Sequence, residues 1–303
     1  MAKYCRYCGV ENNDDAEVCV QCGKSFEKKS SERKMGLSKI FKEGFNFIKK
    51  SPKLLILSVS LFLAIQIIIL AINRWMIGFS YNYFNPESID MIDPGGIIVR
   101  FISILLLAIP VGIAYVVVDA IIIFSTQDYM KSESVSLSSA WQNTRKRISS
   151  LILFSLFIAV FSLAVTFIPI MISFGLMMLS FALGAVFMII AFIAISVVLI
   201  LTLAFPYQAF LLHNCGYVES LKQSWRIARH NLGDYIILSL AFAALSFLLG
   251  LVLLPFTLAS VSPNSAPSII INLTLEPLRS GFIGLYTTIG ITMFYITRAR
   301  SEE

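Results

Sequence analysis

Charge is what this sequence has least of. Only 14% of its 303 residues are Asp, Glu, Lys or Arg, while 57% are hydrophobic and the mean hydropathy is +0.80. Ordinary soluble domains carry roughly 25% charge and about 45–50% apolar residues. From Leu151 to His213, a run of 63 residues, there is no charged side chain at all. Such runs exclude a soluble domain with a large core and imply an integral membrane protein. The sequence also lacks the marks of a catalyst. It has no Ser-His-Asp pattern, no glycine loop shaped for phosphate and no carboxylate pair in a plausible cleft, so the reading is that it is not an enzyme. Nor does an apolar secretory core occupy the first 30 or so residues. The N-terminus is therefore expected in the cytoplasm, where cysteines stay reduced and paired CxxC spacings mark metal sites more often than disulfides.

Cysteine is sparse and concentrated. Four of the five stand at Cys5, Cys8, Cys19 and Cys22, in the arrangement C-x2-C-x10-C-x2-C, and glycine follows each pair as Gly9 and Gly23. Four thiolates satisfy zinc's tetrahedral preference and leave no position open for water, so the expected metal is a structural zinc rather than a catalytic one. A redox dithiol or an iron site uses the same spacing. The glycines suit turns where backbone amides approach sulfur, and Val10, Val18 and Phe26 would supply a small core. So short a segment folds only with metal. It resembles the short zinc-ribbon module found at the N-termini of many archaeal and bacterial membrane proteins. Two bases, Lys3 and Arg6, stand against Glu11, Asp14, Asp15 and Glu17, the wrong balance for a phosphate-binding surface. No nucleic-acid partner is expected. A cytoplasmic protein is the expected partner of the ribbon.

Six segments are long enough to span a bilayer at 1.5 Å rise per residue: 54–73, 97–125, 151–173, 182–208, 235–257 and 278–297. The charge-free stretch holds either two long helices or two helices and a buried interfacial turn. With the N-terminus inside, 21 of the 24 Lys and Arg residues fall on the cytoplasmic side, leaving Arg74, Arg100 and Arg279 at outer ends. The loop after Arg74 instead carries Glu87, Asp90 and Asp93. That asymmetry predicts a multi-pass protein of the cell membrane with both termini cytoplasmic.

Three segments before the odd-numbered spans align without gaps on Phe45, Trp141 and Trp225. A small residue precedes each aromatic (Gly44, Ala140, Ser224), a base follows four later (Lys49, Arg145, Arg229), and an apolar residue stands four before (Phe41, Leu137, Leu221). The spacing is helical, placing Phe41, Phe45 and Ile48 on one face and Leu221, Trp225, Ala228 and Leu232 on another. Such helices lie in the interface plane, with the aromatics and bases as interfacial anchors among lipids, anionic headgroups in particular. The predicted fold is an all-α integral membrane protein of six transmembrane helices, in three repeats of an amphipathic helix plus two spans. A small four-cysteine zinc ribbon precedes them. The divisions are a ribbon over 1–26, a basic linker over 27–35 and a membrane domain over 36–303. The arrangement resembles a large group of six-span membrane proteins, including the membrane domain attached to some glycerophosphodiester phosphodiesterases. No phosphodiesterase segment stands in these residues, so the resemblance implies the membrane architecture alone.

Within the spans, Asp119 is the lone carboxylate, a candidate for ion or proton coupling or for a local structural partnership, with an interfacial Lys or Arg as one such partner. Pro110 and Pro206 are expected to interrupt spans two and four, and Gly175, Gly184 and Ala185 to allow close helix approach. His213 and Cys215 make too weak a pair for a metal. The outer stretch from Pro255 to Arg279, with the sequon Asn272-Leu-Thr274, is expected as a loop that dips into the interface or packs over the bundle. Two functions follow. One is a membrane-anchored interaction or organising protein that recruits a partner at the cytoplasmic face. The other is a transporter or channel for a lipid-like or small apolar solute.

Overall fold

The computed structural model describes the backbone of residues 3–4, 10–13, 35–83, 94–258 and 266–299, and side chains chiefly over 35–68, 109–255 and 273–299. The four ribbon cysteines lie outside the described residues. Around the first pair, strands β1 (Lys3–Tyr4) and β2 (Glu11–Asn12) pair antiparallel, Lys3 opposite Asn12 and Tyr4 opposite Glu11.

Everything else described is helix or short connection. Helix α1 (Leu37–Lys50) ends at Ser51, and α2 (Pro52–Tyr83) starts on Pro52, whose ring disfavours helical backbone in the residue before it. The two axes meet at 90°. Lys49 and Lys50 close α1, where the helix dipole favours cations. Helix α3 (Pro94–Ser132) leads to α4 (Leu137–Arg145), whose first turn is capped by Ser136 Oγ accepting from the Ser139 amide at 3.3 Å. Helices α5 (Ile148–Leu179) and α6 (Phe181–Thr202) form a hairpin that turns at the extended Ser180. After a break come α7 (Pro206–His213), stopped by Asn214 in the left-handed region at φ 56°, and α8 (Tyr217–His230). Two long helices, α9 (Leu232–Leu258) and α10 (Ala266–Ala299), complete the chain.

Among the described residues, five helical segments are long and apolar enough to cross a membrane, and the bent pair α1–α2 raises the number to six. In order, a short helix and two long ones recur three times: α1–α2–α3, α4–α5–α6 and α8–α9–α10. The three aligned segments therefore do form the three short helices.

The charge-free stretch holds two candidate spans, Ile148–Leu179 and Phe181–His213, the second broken at residues 203–205 into α6 and α7. Pro206 does interrupt that span, opening α7 at its first turn, where no amide is needed. Two other expectations need correction. Pro110 stands inside a continuous α3 rather than breaking it. The stretch expected as an outer loop is largely helical, since α10 begins at Ala266 and includes Asn272.

Packing is uneven along the bundle. Buried apolar side chains gather at the end that carries α1, α4 and α8, among them Ile40, Phe47, Leu54, Phe154, Phe205, Phe294 and Tyr295. Aromatic contacts knit that end, with Phe154 stacked on Phe210 at 4.3 Å and Phe205 on Phe294 at 5.6 Å. Towards the other end, α5, α6 and α9 expose apolar side chains on most faces, reaching 90% at Met178 beside the hairpin turn. That surface suits a hydrocarbon solvent.

Close approach is achieved at the expected Gly184 and also at glycines of α10 that were not expected. A Cβ at Gly281 of α10 would stand 2.7 Å from Val59 Cα of α2, and Ser58 Oγ donates to the Gly281 carbonyl at 2.9 Å. At Gly290 a Cβ would stand 2.3 Å from the Phe242 ring of α9. Gly184 does pack against Met177 across the α5–α6 turn, but Gly175 faces open space.

Candidate functional site

The short helices form a rim around the packed end, and each turns a comparable face inward. In α1 the buried residues are Ile40, Gly44, Phe47 and Ile48; in α4 they are Ala140 and Thr144; in α8, Ser220, Leu221, Ser224, Ile227 and Ala228. The small residue before each aromatic is thus the one pressed into the bundle. At Gly44 a Cβ would come 2.9 Å from the Tyr286 ring. Ser224 Oγ reaches the α6–α7 break, accepting from the Phe205 amide at 2.9 Å and donating to the Leu201 carbonyl at 3.3 Å.

Ile48, Leu221 and Ala228 of the expected faces are buried, and Phe41 and Trp225 are half-buried against the core, whereas Phe45 and Trp141 are exposed, at 46% and 45%. Lys49, Arg145 and Arg229 are all exposed, and Lys49 Nζ sits 4.7 Å from the Phe45 ring centroid. Arg145 and Arg229 make no hydrogen bond or ion pair among the described residues.

Other bases of the rim are structural, which charge counting did not reveal. Arg147 donates to the Leu211 carbonyl at 3.0 Å and lies over Phe124. Lys50 donates to the Glu133 carbonyl at 3.3 Å and lies over Tyr129, whose hydroxyl donates to Glu43 at 3.0 Å. Arg298, buried at the end of α10, pairs with Asp234 of α9. These contacts bring the termini of α1, α3, α5, α7, α9 and α10 to one end of the bundle.

Asp119 lies on α3 between the buried Val118 and Ala120, yet keeps a partly accessible edge. Its partner is a neutral hydroxyl, Thr288 Oγ1 of α10, donating to Oδ1 at 3.1 Å. The partner is thus a hydroxyl of α10, and no Lys or Arg pairs with Asp119 among the described residues. Because α3 continues to Ser132, past the expected span end at residue 125, Asp119 stands about 20 Å along the helix from its last residue. The Asp119 carboxylate acts electrostatically on Tyr115, one turn away on α3, and on Tyr207 of α7. One further turn along α10, Thr292 accepts from Gln208 at 3.5 Å.

His213 and Cys215 separate: the imidazole packs edge-on to Tyr295 at 5.6 Å, and the Cys215 thiol donates to Gln223 at 3.2 Å. Partial burial, then the Glu219 carboxylate, raise the thiol's pKa, with Arg226 opposing. Among the described residues no three His, Cys, Asp or Glu side chains cluster as metal ligands.

No curated protein and no solved structure matches this chain. A family model described as a family of unknown function, DUF7544, matches residues 50–298, from the α1–α2 bend through nearly all of α10. The chain therefore belongs to that family of unknown function.

Proposed function

We propose that this protein is a membrane-anchored organising protein of the cytoplasmic leaflet, in which the rim engages anionic lipid and an N-terminal zinc ribbon recruits a protein partner. The observation that carries the reading is the common display of Phe45/Lys49, Trp141/Arg145 and Trp225/Arg229. In all three repeats the small residue is buried and the base is exposed on the outside of one end of the bundle. Aromatic rings at headgroup depth with bases beside them form a surface suited to anionic lipid. The orientation, with the rim and both termini cytoplasmic in the cell membrane, follows from the same bases.

The ribbon half rests on the spacing of Cys5, Cys8, Cys19 and Cys22. It is supported by the pairing of β1 with β2, which draws together the two ends of the segment that holds the first CxxC. The cysteines would hold a structural zinc, which stiffens a surface too short to have a core of its own. The six spans arise on this reading from threefold duplication of one short helix and two long ones.

The test is retention of anionic lipid by the full chain in nanodiscs of mixed phosphatidylcholine and phosphatidylglycerol. Each base near an anionic surface contributes about 1 kcal/mol, roughly fivefold in retention. Lys49→Gln, Arg145→Gln and Arg229→Gln together should strip the bound phosphatidylglycerol. Unchanged retention by the triple variant sinks the lipid half. For the ribbon, Cys19→Ser/Cys22→Ser should lose one zinc per chain and any cytoplasmic partner recovered from native membranes, while leaving lipid retention intact.

A second reading, a transporter or channel for a lipid-like or small apolar solute, takes its support from the α6–α7 break, since discontinuous helices often line solute sites. The backbone there is largely occupied by the protein itself. Thr202 Oγ1 donates to the Val198 carbonyl, the Leu203 amide to Leu199 and Ser224 to Leu201. That leaves little for a solute to coordinate and weighs towards the first reading.

A further inference from the structure

Asp119 presents a charge-balance problem that no described side chain solves. Bringing a carboxylate out of water is costly even after relaxation, and a membrane interior offers no water to offset it. One hydrogen bond to a charged group offsets only part of that cost, and Asp119 has one, from Thr288. The titratable groups on which it acts electrostatically are two phenols, Tyr115 on its own helix and Tyr207 of α7. Helix α5, also packed on α3, has no ionisable residue. The described charges on the remaining neighbours are remote. Lys53 begins α2 and Arg145 ends α4, while on α10 Arg298 is at the last turn and Arg279 is paired with Glu276, about 13 Å or more along the helix from Thr288. Among the described residues no fixed cation is placed to neutralise the carboxylate, yet the side chain keeps an accessible edge at the level where the packed end gives way to the exposed lengths of α5, α6 and α9.

We propose that Asp119 is the binding site of an exchangeable monovalent cation, a proton or an alkali-metal ion, at the junction of α3, α7 and α10. The geometry suits a small ion. Thr288 holds one carboxylate oxygen at 3.1 Å while its own hydroxyl oxygen remains an acceptor. Occupancy neutralises the carboxylate, and release leaves a lone charge that must draw in water or separate α3 from α10. Ion exchange is thereby coupled to helix packing. This site goes beyond the lipid-organising reading and stands or falls without it, because the rim variants leave Asp119 untouched.

The experiment is modification of the full chain in lipid nanodiscs by a hydrophobic fluorescent carbodiimide, which reacts with protonated carboxyls in apolar surroundings. The wild type should label, Asp119→Asn should not, and Asp119→Glu should recover labelling. If the occupant is a proton, labelling falls tenfold or more between about pH 5 and pH 9 and ignores alkali salts. If it is a metal ion, sodium or potassium chloride suppresses labelling at fixed pH while choline chloride does not. In either case the wild-type unfolding midpoint should shift with the effective ion, and Asp119→Asn, which keeps an acceptor for Thr288, should lose that response. Labelling indifferent to both pH and alkali ions overturns the proposal. So does an absence of labelling together with an unfolding midpoint that neither variable moves.

Discussion

Replacing Gly281 by alanine should separate the two helices that pack most closely in the bundle. The added Cβ would stand 2.7 Å from Val59 Cα and 2.9 Å from both the Val59 nitrogen and Cγ2. Carbon atoms in contact sit about 3.5–4.0 Å apart. Two of those three neighbours are backbone, so no rotamer change relieves the clash and α2 must withdraw by about 1 Å. Overpacking of this kind costs about 1–3 kcal/mol. The same movement stretches the 2.9 Å bond from Ser58 Oγ to the Gly281 carbonyl, an interhelical bond of a type that averages about 0.6 kcal/mol in membranes. Alanine's better helix propensity returns about 0.5–1 kcal/mol. The net expectation is a loss of about 1–3 kcal/mol, measured by unfolding the reconstituted protein with a denaturing detergent and following helicity. Gly175→Ala is the control, because nothing lies within 4 Å of a Cβ there and the propensity gain stands alone. Ser58→Ala should cost little by itself and less still in the Gly281→Ala background, since the bond is already lost. If Gly281→Ala is as stable as Gly175→Ala, the α2–α10 contact does not exist as described.

Two other predictions concern the rim. Ser224→Ala should cost about 1–3 kcal/mol, because it leaves the buried Phe205 amide without its acceptor, and amide exchange at Phe205 should speed up while α10 is unaffected. Alkylation of Cys215 by iodoacetamide proceeds through the thiolate, so a raised thiol pKa means that its rate profile lies at higher pH than that of free cysteine. Glu219→Gln removes a carboxylate that disfavours the thiolate and should move the profile to lower pH. Arg226→Gln removes a cation that favours it and should move the profile higher. Indifference to both substitutions would show that the α8 charges do not reach the thiol.

Much of the architecture was legible because lipid imposes it. Long apolar runs marked the spans, and the three rim helices were readable from an aromatic, a base and a small residue at fixed spacing. Helix ends were less legible: α3 continues to Ser132 and α10 starts at Ala266, since polar residues such as Asp128, Lys131, Asn272 and Glu276 tolerate helix wherever they leave the hydrocarbon. Tertiary partners were illegible. Gly281 and Gly290 look no different in sequence from Gly175, and only the arrival of Val59 and Phe242 distinguishes them. Likewise nothing near Asp119 in the chain announces that Thr288, 169 residues away, will be its partner.

The rim signature itself changes meaning once the helices are placed. In sequence the aromatic and the base read as interfacial anchors, and the small residue is only one part of the shared spacing. In the fold the small residue sets the distance of closest approach: Gly44 admits the Tyr286 ring, Ala140 is fully buried, and Ser224 adds a hydroxyl that closes the α6–α7 break. A larger residue at any of these positions would lift its helix off the bundle. Seating the small residue rotates the helix so that the next side chain points outward or to the seam, and the base four residues later is displayed beside it. One packing requirement, met three times, therefore produces both the attachment of each short helix and its outward pair of ring and cation. The selective constraint on such a motif is then double. Loss of the base should weaken lipid engagement without disturbing the fold, whereas enlargement of the small residue should remove both.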